Sequence, residues 1–145
     1  MMLSKQEQVK AALADEEITF AAVSLGGELR TSTLHGIAPM MQMLQEDPEF
    51  LEGAFVADKM IGKAAAFLLI KGKVAYLYTD MISSYGAEVL EENKIDFEYK
   101  EMVEYILNRT GDGMCLMESV VLEAPSAEDA YLKLQNKLAE IRANQ

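Results

Sequence analysis

The chain has 145 residues, a length that suits one domain with a real core, and 13 Lys and Arg against 24 Asp and Glu give it a formal charge of −11. Half of the residues are apolar, which argues against disorder. No apolar run approaches the ~18 residues of a membrane helix, and no signal peptide is visible. We therefore expect a cytoplasmic single domain over residues 1–145. The acidic balance argues against binding to nucleic acid polymers, and the single cysteine excludes an internal disulfide and a multi-cysteine zinc site.

The N-terminal part of the chain predicts a helix followed by a β-hairpin. A Ser-x-x-Glu capping box opens a helix over residues 4–14. Two stretches rich in apolar and β-branched residues, 18–24 and 28–33, flank Gly26-Gly27. Two such strands around a glycine pair are typical of a hairpin.

The rest of the chain alternates helices with short strands. The predicted elements are a helix from Pro39, a helical turn over 47–53, a strand over 54–57, a helix over 62–70, a strand over 74–78, a helix over 83–93, a strand over 95–99, a helix over 101–107, a loop over 108–113, an ambiguous stretch over 114–122 and a last helix over 126–142. This order favours a three-layer α/β/α domain with a mixed sheet, in which the N-terminal hairpin is antiparallel and the later strands are parallel.

The most informative segment for chemistry places charged residues at a predicted strand end. Asp58, Lys59 and Lys63 fall where the strand gives way to a helix. Ligands bind outside the carboxyl ends of strands in open α/β sheets, and a helix start attracts anions through its free N–H groups. A P-loop is excluded, because its first glycine and the hydroxyl residue after the lysine are missing. The segment also fits simple helix packing, with Asp58 as a cap.

Cys115 is a second candidate for chemistry. A nucleophilic cysteine needs a histidine, a cation or a helix start nearby, and here the only histidine is His35 and the nearest cation is Arg109. The alternative is a buried, inert thiol, with His35 as a surface turn residue. The ten methionines favour adaptable core packing over a metal site, and the acidic run over 88–104 favours a solvated face.

Five stretches together give the chain a resemblance to a known family: Gly36–Met40, Val56–Ala66, Glu88–Leu90, Tyr105–Arg109 and Gly113–Glu118. They resemble the bacterial and archaeal domain-of-unknown-function family 1893, which looks like a divergent branch of the cytidine-deaminase-like fold. The resemblance covers residues 15–122, and the helix over 126–142 follows it. Leu116 stands where the family usually carries proline.

The resemblance implies a deaminase-like fold without the deaminase metal. Zinc deaminases carry His-x-Glu at one helix start and Pro-Cys-x-x-Cys at the next, and tetrahedral zinc needs three protein ligands plus water. The first helix start, residues 58–63, has no histidine, cysteine or glutamate. At the second, Ser84 and Ala87 stand in the places of the two thiolates. We therefore expect no metal and no other cofactor.

The preferred hypothesis is a metal-independent domain that binds a small anionic or nucleotide-like molecule between the two helix starts. Lys59 and Lys63 would neutralise the anion, and Asp58 would orient a lysine or a ligand hydroxyl. The other expected ligand-binding residues are Gly62, Ser83, Ser84, Asn108 and Arg109.

Two alternatives stay open, and neither involves a membrane. An enzyme would use Cys115 as its nucleophile or redox thiol, with Glu118 or Asp58 as acid or base. A non-catalytic interaction or regulatory domain would form a homo-oligomer through apolar helix faces.

Overall fold

A computed structural model describes residues 3–108 and 110–144 of the chain. The elements are α1 (Lys5–Leu13), β1 (Phe20–Val23), β2 (Leu29–Ser32), α2 (Ala38–Glu46), a 3-10 turn (Pro48–Leu51), β3 (Phe55–Ile61), α3 (Lys63–Gly72), β4 (Tyr76–Ser83), α4 (Ser84–Glu92), β5 (Asp96–Val103), α5 (Leu116–Val120) and α6 (Ala127–Ala143). Within the described ranges, no helix has the length and apolar character needed to span a bilayer.

The five strands form one mixed sheet in the order β2-β1-β3-β4-β5. Strand β1 is antiparallel to both of its neighbours, whereas β3, β4 and β5 run parallel to one another. The prediction of an N-terminal antiparallel hairpin followed by parallel strands is therefore confirmed. The parallel strands are joined through helices α3 and α4, as the alternation of strand and helix patterns predicts.

Apolar side chains on the two faces of the sheet belong to separate clusters, because successive strand residues point to opposite faces. On β1, Phe20 belongs to the larger cluster and Ala21 to the smaller one. Helix α1 contributes Val9 and Leu13 to the smaller cluster. Helices α2, α3, α4 and α6 contribute to the larger cluster, which contains most of the core.

Local capping signals place the helix starts where the sequence predicts them. The Ser4 side chain accepts the Glu7 N–H at 3.1 Å, and the Glu7 carboxylate accepts the Ser4 N–H at 3.0 Å, so both halves of the capping box are present. Ser83 caps α4 and Ser126 caps α6 in the same manner, each accepting an N–H from three residues on.

The end of β3 differs from the sequence prediction. The strand does not stop at residue 57 but continues to Ile61, so Asp58 and Lys59 lie within a strand and only Gly62 and Lys63 lie at a helix start. The reason is pairing on both sides: Asp58 lies opposite a residue of β1 and a residue of β4, and the parallel ladder continues to Ile61. The sequence prediction ends the strand at residue 57 because the charged residues Asp58 and Lys59 follow, and charged residues are typical of strand ends.

The predicted helix over 101–107 is wrong. Strand β5 runs on to Val103, because its last three residues pair in parallel with the end of β4. The chain then turns, and Leu107 forms an isolated antiparallel bridge with Met114. The apolar positions 102, 103 and 106 have helical spacing, and tertiary pairing overrides that local signal. Strands β4 and β5 extend beyond their predicted C-terminal ends for the same reason.

Candidate functional site

A cavity of about 290 Å³ lies beside the C-terminal half of β3, at the larger-cluster face of the sheet. Its wall comes from Thr19, from residues 35–37, from residues of β3 and the start of α3 between 58 and 65, and from residues 106–107 and 115–118. Most of the wall is apolar. The ionisable side chains in it belong to His35, Asp58, Cys115 and Glu118. Lys59 borders the cavity as a residue, but its ammonium group does not lie in the wall.

Asp58 is the unusual acid of the cavity wall. Its residue is only 6% exposed, and its Oδ1 accepts the Met60 N–H at 3.3 Å. None of the ion pairs found among residues 3–108 and 110–144 involves Asp58. Burial removes water from the carboxylate and raises the pKa of Asp58 from 3.8 to about 8, against a smaller lowering by backbone N–H groups. Burial therefore favours the protonated form of Asp58 over its carboxylate.

Glu118 is the second buried acid, and its surroundings are the opposite of those of Asp58. It is 1% exposed, and its Oε1 accepts the Lys63 N–H at 3.0 Å and the Ser83 hydroxyl at 2.5 Å. Its Oε2 accepts the Ile106 N–H at 2.6 Å. Helix α3 begins after Gly62, which has no side chain to cap it. The carboxylate of Glu118 therefore performs the capping role that an aspartate or serine usually has at a helix start.

The starts of α3 and α4 lie against each other beside this carboxylate. A Cβ atom placed on Gly86 would come within 3.0 Å of the Gly62 carbonyl oxygen. Ser83 links the two helix starts, because its hydroxyl accepts the Gly86 N–H at 3.0 Å while it donates to Glu118. The two helix starts are in contact, and the side chain of Glu118 lies beside them, hydrogen-bonded to Lys63 and Ser83.

The two lysines of the predicted anion site point to different places. Lys59 Nζ donates to the Leu13 carbonyl oxygen at 2.7 Å, at the end of α1, which covers the opposite face of the sheet. Lys63 Nζ donates to the Leu122 carbonyl oxygen at 2.5 Å. The two ammonium groups therefore do not face one common point in this structure, and anion binding by Lys59 and Lys63 stays a prediction. Alternation along β3 is the cause for Lys59, because neighbours in a strand point to opposite faces.

The remaining predicted ligand-binding residues have local partners. Ser84 Oγ donates to the Glu104 carbonyl oxygen at 2.8 Å, and Asn108 Nδ2 donates to Asp112 at 3.0 Å. Neither residue borders the cavity. Gly62 does border it, and Ser83 reaches it only through Glu118. Arg109 lies outside the described residues.

Cys115 and His35 both border the cavity, although the sequence does not predict that they share a site. The Cys115 N–H donates to the Ile106 carbonyl oxygen at 2.7 Å, which places the thiol residue just before α5. Thr19 and the apolar residues Ile37 and Ile106 complete the wall. No motif or spacing in the sequence distinguishes these three residues from ordinary core residues, so the sequence does not predict them as part of a site.

A protein metal site needs at least three donor side chains that converge on one point. Among residues 3–108 and 110–144, no group of three or more His, Cys, Asp or Glu side chains is arranged to hold a metal ion. Asp58 and Glu118 both border the cavity, yet the Glu118 oxygens already accept three hydrogen bonds. The groups available for chemistry in the cavity are therefore the Asp58 carboxyl, the Cys115 thiol and the His35 ring.

Comparison with known proteins identifies the family. The family model described as "TM1506: Domain of unknown function (DUF1893)" matches residues 8–138, a longer stretch than the residues that carry the resemblance in sequence. A crystal structure of a DUF1893 family protein (TM1506) from Thermotoga maritima is similar to this chain, with a TM-score of 0.82 and 27% identity over 94% of this chain and 92% of that one. No curated protein matches the chain. The chain belongs to the DUF1893 family.

Proposed function

We propose that this domain binds a small nucleotide-like molecule in the cavity without a metal, and that the part of the molecule inside the cavity is uncharged. The cavity volume of about 290 Å³ is at the lower end of the roughly 300–1,000 Å³ typical of ligand pockets. An apolar wall with a few polar groups is also typical of such pockets. A single heterocyclic ring is the size of group that this volume favours.

The observation that carries the proposal is the buried acid of Asp58 in a mostly apolar wall. A protonated carboxyl both donates and accepts a hydrogen bond, so it pairs with a ligand edge that has a donor beside an acceptor, such as an amide or a lactam. An anion would instead face two carboxyl groups, because the ammonium groups of Lys59 and Lys63 are directed to carbonyl oxygens elsewhere. The ligand therefore differs in charge from the one expected from sequence.

The proposal includes the fold family, a three-layer cytidine-deaminase-like domain. Two features support it: α1 packs on one face of the sheet while α2, α3, α4 and α6 pack on the other, and the starts of α3 and α4 are in contact. Zinc deaminases need two such helix starts close together, because each contributes ligands to one metal. In this chain, Glu118 lies at the corresponding place.

The test is an NMR titration of backbone amides with three probes: cytosine, nicotinamide and nicotinate. The last two are similar in size and differ in charge. We expect the two uncharged probes to shift the amides of Gly62, Ile106 and Cys115 and nicotinate to shift them much less. Asp58→Ala should abolish these shifts, whereas Asp80→Asn, a change on the opposite sheet face, should leave them intact.

Three results would contradict the proposal. Absence of cavity shifts with both uncharged probes at millimolar concentration would remove the cavity as a ligand site. Nicotinate binding as strongly as nicotinamide would refute the uncharged character of the ligand, and equal binding by the Asp58→Ala variant would remove Asp58 from recognition.

A second candidate is an enzyme that uses Cys115 as its nucleophile. The observation that favours it is that Cys115 and one of its two predicted acid or base partners, Asp58, border one cavity, whereas the other, Glu118, is held by three hydrogen bonds. The thiolate is the reactive form of cysteine, so a nucleophile of this kind should be alkylated faster than free cysteine at the same pH. Alkylation of Cys115 only after denaturation would exclude this candidate.

A third candidate is an interaction domain that forms a homo-oligomer. It is favoured by exposed apolar side chains next to the cavity, namely Met60 and Leu107, with Leu34 and Leu116 adjacent in sequence to cavity residues. Native mass spectrometry distinguishes the cases, since a monomer has a mass of 16.1 kDa and a co-purified ligand adds to it. A monomer without ligand would contradict this candidate.

A further inference from the structure

The sheet has two edge strands, and they differ in charge. The strand order places β2 at one edge and β5 at the other. Strand β5 has acidic and basic residues on exposed positions, and such charges discourage pairing with another chain. Strand β2 has no acidic residue, and its exposed positions are Leu29 and Thr31. The edge formed by β2 therefore lacks the acidic charges that protect the edge formed by β5.

Strand β2 begins a stretch of chain that contains no acidic residue. The chain has 24 Asp and Glu, yet none of them falls in residues 29–45. The side chain of Arg30 is compensated, because it binds Glu28 at 2.9 Å and Asp47 at 3.0 Å. The exposed residues of this stretch include Leu29, Thr31, Thr33, Leu34 and Gln42. In a chain with a net charge of −11, this neutral surface lets two copies approach without local repulsion between acids.

The backbone groups on the outer side of β2 have no partner strand. The carbonyl oxygens of Glu28 and Ser32 accept hydrogen bonds from the side of β1. Because backbone groups alternate along a strand, those of Leu29, Thr31 and Thr33 face the open side. Among the backbone hydrogen bonds outside helices and ladders in residues 3–108 and 110–144, none involves these three residues.

The chain stays beside β1 beyond the last residue of β2. The Thr19 hydroxyl lies within hydrogen-bond distance of the carbonyl oxygens of both Ser32 and Leu34. Two carbonyl groups that are two residues apart and point to the same side are typical of an extended chain. Thr33 lies between them, so its backbone groups are directed outward. The open edge therefore comprises residues 29–33.

This edge is complementary to the same edge of a second copy. In an antiparallel pair with its two-fold axis at Thr31, Thr31 lies opposite its own counterpart and Leu29 lies opposite Thr33. All of these pairs exchange two N–H···O bonds, because the backbone groups of all three residues face the open side. Threonine is β-branched and suits such a ladder. A groove of about 370 Å³ between β2 and α2 has space beside the edge for side chains of the second strand.

We propose that residues 29–33 are the interface of a homodimer, in which two copies of β2 pair antiparallel and join two five-stranded sheets into one. A second copy is favoured over an unrelated strand, because it brings the same uncharged residues and the same spacing of free donors and acceptors. This interface is a strand edge and not the apolar helix face that the sequence predicts. It does not depend on the cavity or its ligand.

The first test is sedimentation velocity of the native chain at about 100 µM in NaCl of 0.01 M and of about 0.5 M. We expect a dimer, with twice the chain mass of 16.1 kDa, at the higher salt concentration. The dissociation constant should be at least about tenfold higher at the lower salt concentration, because two chains of charge −11 repel each other when screening is weak.

The second test places charges at the proposed two-fold axis. Thr31→Lys and Thr31→Glu each bring like charges opposite one another, so each variant alone should be monomeric. An equimolar mixture should form the dimer again, because Lys then lies opposite Glu. Asn136→Lys and Asn136→Glu, at an exposed position of α6, are the matched controls, and both should dimerise like the native chain.

A third variant blocks the edge without adding a charge. Thr31→Pro removes an N–H that faces the open side, and proline is tolerated at such positions of edge strands. We expect a monomer with the circular dichroism spectrum of the native chain. This variant decides the matter if either charged variant fails to fold.

The interface is refuted if the native chain is monomeric at about 100 µM in the higher salt concentration. It is also refuted if Thr31→Pro or either charged variant alone still dimerises, since the dimer then uses another surface, such as the apolar side chains beside the cavity. A mixture of the two charged variants that stays monomeric would refute the two-fold axis at Thr31.

Discussion

Asp58 and Glu118 are two buried carboxyl groups that border one cavity, and their hydrogen bonds give them different chemical roles. Glu118 accepts hydrogen bonds from three separate parts of the chain and is suited to a structural role. Asp58 receives only backbone N–H groups of its own strand, and burial therefore raises its pKa to about 8. Burial of the charged form of this carboxyl costs free energy, so Asp58 does not stabilise the fold as a charged group, and a perturbed acid in a cavity is a candidate for the ligand recognition proposed above.

The pKa of Asp58 predicts how stability depends on pH. The unfolded chain has an ordinary aspartate pKa near 4, so between pH 4 and 8 the folded state binds the proton more tightly. The contribution of Asp58 to stability is therefore full below about pH 4 and declines as pH rises through 8. We expect Asp58→Asn, which cannot ionise, to be more stable than the native chain at pH 9 by an amount on the order of a few kcal/mol.

Urea unfolding at pH 6 and pH 9 measures this difference, in a range where ordinary carboxyl groups stay ionised. Asp80→Asn is the matched control, since Asp80 is half-buried and accepts the Tyr78 hydroxyl at 3.0 Å. The control should show no comparable gain at pH 9. If Asp58→Asn has the same pH dependence as the native chain, then Asp58 ionises normally and its role in recognition of uncharged ligands is lost.

At the scale of single residues, the sequence predicts which residues border the cavity better than it predicts where their side chains point. Asp58, Gly62, Cys115 and Glu118 are predicted site residues that border the cavity. The direction of Lys59 depends on whether β3 continues beyond residue 57, which is decided by its two neighbouring strands. The bond between Glu118 and Lys63 joins residues 55 positions apart, and no local pattern encodes it.

Helices α3 and α4 approach each other closely only because glycine occupies both contact positions. A Cβ on Gly86 would lie 3.0 Å from the Gly62 carbonyl oxygen, which is backbone and cannot yield easily. A Cβ on Gly62 would lie 3.1 Å from Ile106 and 3.2 Å from Glu118 Oε1. The contact between the two helix starts, and the place of Glu118 beside it, therefore depend on these two small residues.

Alanine substitution at these glycines tests the close approach. Within a helix, Gly→Ala normally stabilises by about 0.5–1 kcal/mol, but overpacking costs about 1–3 kcal/mol. We expect the overpacking to dominate, so that Gly86→Ala and Gly62→Ala both lower the free energy of unfolding, with Gly86→Ala the more severe. Denaturant unfolding followed by circular dichroism provides the measurement.

Gly26→Ala is the matched control, because the nearest atom to its added Cβ is Ser24 Oγ at 3.9 Å. The control should change stability by less than about 0.5 kcal/mol. A Gly86→Ala variant as stable as the native chain would mean that the helix starts are farther apart than described here, and the capping role of Glu118 would then need revision.

Helix starts are predictable at the scale of elements, and strand ends are not. The capping box at Ser4 and the caps at Ser83 and Ser126 form between residues three apart, so the sequence contains the whole signal. The ends of β4 and β5 depend on ladder partners in other strands. The apolar residues over 101–107 have helical spacing, but residues 101–103 form a strand because they pair in parallel with β4.

At the scale of the whole molecule, acidic residues outnumber basic ones so strongly that the net charge is −11. Exposed ion pairs such as Lys10 with Glu98 and Arg30 with Asp47 contribute about 0–1 kcal/mol each. Even complete pairing of every lysine and arginine leaves an excess of acids that repel one another in the compact state. Edge strand β5 carries several of these charges on exposed positions, which discourages pairing with another chain.

This excess charge predicts that salt stabilises the fold. The Debye length falls from about 30 Å at 0.01 M to about 8 Å at 0.15 M, so added NaCl screens the long-range repulsion more than it weakens close ion pairs. We expect the melting temperature to rise by a few degrees over this range, measured by calorimetry at pH 7.5.

Glu101→Lys, at an exposed position of β5, should melt higher than the native chain at 0.01 M and respond less to salt. A melting temperature that falls with salt would mean that the ion pairs outweigh the repulsion, and the Glu101→Lys variant should then lose its advantage at low salt as well.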